Sequence, residues 1–182
     1  MYMNISQSEL DSLRQDCAAK QKKGLHFILA SVVIWGLIVA VQASSLPILT
    51  KNLLVFCCTA PLMPIAFMLS KVIGVDFQNK ENPLTKLGIL FSLNQLIYLL
   101  IPMWLFQAVP DRMLMVFAMI FGAHLLPFSW LYQSKTYLVA SIAIPLISLF
   151  VGLKYGAMTL SVLMLGLECV LSFCLWMETR RL

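Results

Sequence analysis

Glu168 is the residue of this sequence best placed to do chemistry, since it stands near the middle of Thr159 to Trp176, an apolar run long enough to cross a membrane. An ionised carboxyl group in hydrocarbon is costly, so such a residue turns toward a bundle interior or a wet cavity and has a partner there. Ser161, Glu168 and Ser172 stand seven and four residues apart and therefore share one helix face. A proton or a small cation is the ligand that a lone intramembrane acid suits.

His124, Asn94 and Gln95 also interrupt apolar runs. At about 1.5 Å of rise per residue, Glu168 and His124 each lie roughly 18 Å from one end of their spans, and Asn94 falls near the midplane as well. A Glu and a His at one depth could share a proton, with Asn94 or Gln95 orienting them and Tyr98, one turn from Asn94, joining the group. The competing reading makes the amides and the imidazole hydrogen-bonding glue between helices, at under about 1 kcal/mol each. An acid is a poor choice for glue alone. The candidate ion or substrate site is thus Glu168, His124, Asn94, Gln95, Tyr98 and Ser172, with Glu168 foremost.

The elements that must position these residues follow from composition. Of 182 residues, 60% are hydrophobic and only 12% charged, about half the charge of a soluble domain, and the mean hydropathy is +0.88. The expected fold is all-α: a polytopic membrane bundle of about six transmembrane helices at 24–42, 53–73, 84–106, 113–131, 137–153 and 156–177. Residues 1–23 form a short amphipathic N-terminal segment, in which Ser6 and Glu9 fit a capping box and Leu10, Leu13 and Cys17 give one apolar edge. Such a segment lies on the membrane surface or docks on protein, and residues 178–182 remain as a tail. Ten basic residues flank one set of alternating loops (Arg14, Lys20, Lys22, Lys23, Lys71, Lys80, Lys86, Lys135, Arg180, Arg181) against three on the other (Lys51, Arg112, Lys154). That asymmetry places both termini in the cytoplasm.

Prolines 61, 64, 102, 127 and 145 fall within or beside span cores, where each removes a helical hydrogen bond. An inverted repeat of three plus three spans would set Pro61 against Pro145 and Asn94 or Gln95 against Glu168. His26 and Gln42 read as interfacial. Four of the five cysteines, Cys57, Cys58, Cys169 and Cys174, fall in apolar runs and read as buried small hydrophobes; with Cys17 they make neither a disulfide framework nor a zinc site.

The net charge of +5 reports topology in a chain of this type, so no nucleic-acid partner is expected. The sequence lacks GxGxxG, GxxxxGK, HExxH and GxSxG, so neither an enzyme nor a cofactor or metal is expected. The partners to expect are the lipid bilayer, a small solute, proton or cation, and a second copy of the chain. The basic run before Gly24, the segment Gly122-Ala123-His124-Leu125-Leu126-Pro127 and the following Trp130-Leu131-Tyr132 resemble an uncharacterised family of small multi-pass bacterial membrane proteins. That resemblance implies a bacterial plasma membrane and carries no assigned activity. The functional expectation is a small transporter, channel or sensor built around Glu168; the alternative is a non-transporting accessory or assembly protein whose polar residues hold helices together.

Overall fold

The computed structural model describes residues 6–77 and 79–181, so residues 1–5 of the N-terminal segment, Gln78 and the last residue of the tail lie outside the account. The described residues are all-α, in the order α1 (Gln7–Lys20), a 3-10 turn (Lys22–Gly24), α2 (Leu25–Ala43), α3 (Ile48–Thr59), α4 (Leu62–Ile73), α5 (Leu84–Tyr98), α6 (Leu100–Ala108), a 3-10 turn (Pro110–Arg112), α7 (Met113–Ala123), α8 (Leu126–Leu131), α9 (Lys135–Lys154) and α10 (Ala157–Thr179). They compose six helical stretches long and apolar enough to cross a membrane: Lys22–Ala43, Ile48–Ile73, Leu84–Ala108, Pro110–Leu131, Lys135–Lys154 and Ala157–Thr179.

Proline chemistry explains why three of the six are broken. The chain turns at Ala60 and Pro61 before Pro64, at Leu99 before Pro102, and at His124 and Leu125 before Pro127. In each case the break falls within about one turn before the proline, where its ring meets the preceding carbonyl and its missing N–H leaves that carbonyl unpaired. Pro145, by contrast, sits inside an unbroken α9. Its ring instead packs against Gly122, where an added Cβ would lie 2.6 Å from Pro145 Cδ and from Ile144 Cγ2. The missing side chain at Gly122 is what lets α7 and α9 approach so closely.

The core runs between α2, α7, α9 and α10 and contains Ile34, Trp35, Ile38, Phe117, Ile144, Leu160, Met164 and Leu171. Trp35 meets Phe117 and Phe121 edge-on, at centroid distances of 6.1 Å. The stretch formed by α5 and α6 is the least covered, with 11% of its central window buried against 50% for the α2 stretch.

Hydrogen bonds gather the connections at two opposite ends. At one end α1, its capping box closed between Ser6 and Glu9, lies across the loops. Arg14 donates to the Trp130 carbonyl and stacks over the Trp130 ring, while Asp16 accepts from Asn79 and Asn82. At the other end Lys51 reaches the Gln42 carbonyl, Asn52 the Pro110 carbonyl and Arg112 the Gly152 carbonyl. The apolar edge expected for α1 therefore faces protein: Cys17 and Ala18 are buried in the bundle's core, and Leu10 and Leu13 are half-buried.

Cysteine placement reverses the sequence expectation. Cys17, outside the apolar runs, is the buried one, whereas Cys57 and Cys169 are exposed and Cys58 and Cys174 half-buried. A cysteine in a lipid-facing stretch needs no burial within the protein to stay out of water. His26 and Gln42, read as interfacial, stand at the two ends of α2 and are buried against protein there.

Candidate functional site

Glu168 sits on the inner face of α10 and is wholly buried, at 0% exposure. Its face is the one its serines mark, because Ser161 and Ser172 are buried too. Across from it, α2 presents Ser31, and the Ser31 hydroxyl contacts Glu168 Oε2. The other carboxyl oxygen, Oε1, has no hydrogen-bond partner, and neither has Ser172 Oγ one turn along the same helix. Among the described residues no Lys, Arg or His lies within ion-pair distance of Glu168, the ion pairs being Arg14–Asp11, Lys20 with Asp16 and Glu81, and Lys23–Glu178.

Proton counting at Ser31 bears on the state of this acid. The hydroxyl has one proton and two acceptors in reach, Glu168 Oε2 and the Ile28 carbonyl at 2.7 Å. When Ser31 donates to Ile28, its contact with Glu168 is a hydrogen bond only if the carboxyl carries a proton to give. When Glu168 is ionised, Ser31 must swing its proton to Oε2 and release the carbonyl, which keeps its place in the helical ladder. A hydroxyl rotation thus matches either protonation state. The ionised state has that single donor and no counter-cation, whereas the neutral acid needs neither.

The remaining candidates do not join this group. His124 falls at the break before Pro127, and its Nδ1 contacts the Phe121 carbonyl of the preceding turn. Its ring packs edge-on against Phe121 and Phe128, with centroids 5.3 and 6.0 Å away. The proline break supplies a local carbonyl, so the imidazole has no need to reach across the bundle. Asn94 is exposed on the outer side of α5, and its Nδ2 donates to the Tyr98 hydroxyl at 3.0 Å. Tyr98 is exposed as well, and Gln95 is half-buried. Of the residues an inverted repeat would set against the buried Glu168, Asn94 is exposed and Gln95 half-buried.

A second polar centre, at the α1 end, escaped sequence reading. Glu178 accepts from Lys23 Nζ at 2.8 Å, Ser134 Oγ at 2.7 Å, Thr136 Oγ1 at 2.6 Å and the Thr136 backbone N–H at 3.1 Å. Four donors with one full positive charge satisfy the carboxylate and tie the start of α2 to the start of α9 and the end of α10. Beside it the Tyr137 hydroxyl donates to the Lys23 carbonyl at 2.8 Å. Gly24 takes a left-handed φ of 72°, and a Cβ added there would lie 3.3 Å from the Tyr132 ring. Tyr132 donates in turn to Gln21, and Gln21 donates to Thr85. The Cys17 thiol below this network is pushed up to about 11, first by burial and then by the neighbouring Asp16. In the sequence Lys23 looked like one more topology-setting base and Glu178 like part of a tail; only their meeting across 155 positions reveals the clamp.

No group of three or more His, Cys, Asp or Glu side chains suited to a metal occurs among the described residues. No curated protein and no solved structure matches the chain. A family profile does match, over residues 10–178, which takes in most of α1, both polar centres and nearly all of the six long helices; the chain belongs to DUF7010, a family of unknown function.

Proposed function

We propose that this is a plasma-membrane protein with both termini in the cytoplasm, in which Glu168 binds and releases a proton or a small cation in the service of transport, conduction or sensing. The N-terminal segment 1–23 and the tail 178–182 lie at the cytoplasmic end of the six-helix domain 24–177, and no enzymatic step is involved. The observation that carries the reading is the Glu168 carboxyl itself: wholly buried, without a counter-cation, one oxygen on Ser31 and the other unmatched beside the unmatched Ser172 hydroxyl. Helix glue does not require an ionisable group, and the neutral amide is cheaper to bury.

Glu168→Gln tests this because it keeps shape and hydrogen-bonding reach while removing the proton. The variant folds and is at least as thermostable in detergent, and it loses the flux that wild-type proteoliposomes show under a proton or cation gradient. Unchanged flux in the variant contradicts the role of Glu168. Absence of flux in the wild type across protons, alkali cations and small solutes supports the second reading, an accessory or assembly protein. What favours that second reading is the direct link of α10 to α2 through Ser31, which would staple the two helices whether or not the acid ever ionised.

A further inference from the structure

Leu90, Asn94, Ile97, Ile101 and Trp104 follow one another at spacings of four, three, four and three residues along α5 and α6, and all five are exposed. Leu99, where the helical ladder is interrupted before Pro102, still keeps right-handed angles of φ −64° and ψ −16°, so α6 continues in the same sense as α5. This alternation suits a seam along which two helices wrap left-handedly around each other; Ile89, Leu93, Leu96, Leu100 and Met103 repeat it on the next flank, and Asn94 is what sets the first stripe apart. Among the described residues nothing covers the stripe: Leu90, Ile97 and Trp104 are 58%, 63% and 68% exposed.

Asn94 is the member that lipid alone cannot satisfy. Its amide carries two N–H donors and a carbonyl acceptor, and among the described residues it makes one side-chain hydrogen bond, to Tyr98. Acyl chains offer neither donors nor acceptors, and unmet polar capacity in hydrocarbon is unfavourable. We propose that this stripe is the interface of a homodimer, in which α5 and α6 pack parallel against the same helices of a second copy and Asn94 hydrogen-bonds to its counterpart. Three features select a second copy as the occupant. An amide is complementary to itself, donor to acceptor in both directions. Two copies inserted in the same orientation are related by an axis along the membrane normal, which runs the paired helices parallel and brings each seam position to its own equivalent. No charged residue occurs from Leu87 to Pro110, so self-association meets no electrostatic opposition. A single Asn in an otherwise apolar seam also fixes register, because only one alignment pairs the two amides.

The test uses the full chain in lipid bilayers, with oligomeric state read by single-molecule photobleaching over a range of protein-to-lipid ratios. The wild type dimerises, Asn94→Leu weakens dimerisation by about tenfold, and Asn94→Gln, which keeps the amide, retains most of it. Oxidative crosslinking locates the face: above the wild-type background, Ile97→Cys forms a disulfide-linked dimer and Leu96→Cys, exposed on the other flank of α5, does not. A wild type that stays monomeric at every ratio overturns the proposal. So does an Asn94→Leu dimer as tight as wild type, or crosslinking at position 96 in preference to 97.

Discussion

The α2–α10 seam and the α5–α6 stretch carry the same kind of residue, a polar side chain in an apolar span, and treat it in opposite ways. Along α2 and α10, Ser31, Ser161, Glu168 and Ser172 all turn inward and are buried. Along α5, Asn94 and Tyr98 turn outward, and the helix meets the bundle mainly through its opposite edge, where Gly88 lets the Leu131 side chain approach. The neighbouring helices differ in how closely they are packed. Gly122 and Gly152 let neighbouring side chains reach the α7 and α9 backbones, whereas the middle of α5 is rimmed by Leu and Ile. On the readings proposed above, the polar group buried within one chain is the proton-binding one, and the exposed amide is the one that meets a second copy.

Damage to the tightly packed side has the largest consequence. Glu178→Ala strands Lys23 and leaves Ser134 and Thr136 without their acceptor, and should cost about 3 kcal/mol of stability, the lower end for a broken buried pair because the Glu178 side chain keeps 23% exposure. Unfolding of the purified protein in mixed micelles measures it, and a loss below about 1 kcal/mol would show that the clamp is decorative. Gly122→Ala should cost about 2 kcal/mol by forcing α7 away from Ile144 and Pro145. Leu96→Ala, on the open side at 58% exposure, should stay within about 0.5 kcal/mol in the same assay. Equal penalties for Gly122→Ala and Leu96→Ala would erase the contrast between the two regions.

Much of this arrangement was legible in the sequence, for reasons that can be located. Six apolar stretches of spanning length announced the six long helices, the Ser6–Glu9 spacing announced the cap of α1, and the prolines marked where spans two, three and four break. The serines at 161 and 172 fixed the inward face of α10 because they share one side with Glu168 in the middle of that helix. The azimuth of Asn94 was hidden by the opposite circumstance: Ser92, Asn94 and Gln95 point in different directions around α5, so its pattern singles out no face. His124 misled for a local reason, the Phe121 carbonyl at the Pro127 break, which a depth argument does not register. The Lys23–Glu178 clamp was invisible because it joins the two ends of the chain, and no local pattern records such a meeting.

The smallest effect expected concerns the docking of α1. Asn82 and then Lys20 hold the Asp16 carboxyl below its ordinary value. A depressed carboxyl contributes stability that is fully present above the unfolded value near about 4 and is lost as pH falls through the lower folded value. Hydrogen exchange of the α1 amides should therefore accelerate modestly below about pH 4, and Asp16→Asn should remove that pH dependence. An unchanged dependence in the variant would assign it to another carboxylate.

The central claim is that the buried side of the bundle holds an acid able to carry a proton, and infrared spectroscopy of the carboxyl group tests it without reference to any substrate. In wild-type protein reconstituted in lipid at neutral pH, the account predicts a C=O stretching band of a protonated, buried carboxylic acid that shifts in deuterated water and is missing from Glu168→Gln. A wild-type spectrum that contains only ionised carboxylate bands, or a protonated band that persists in Glu168→Gln, would contradict it.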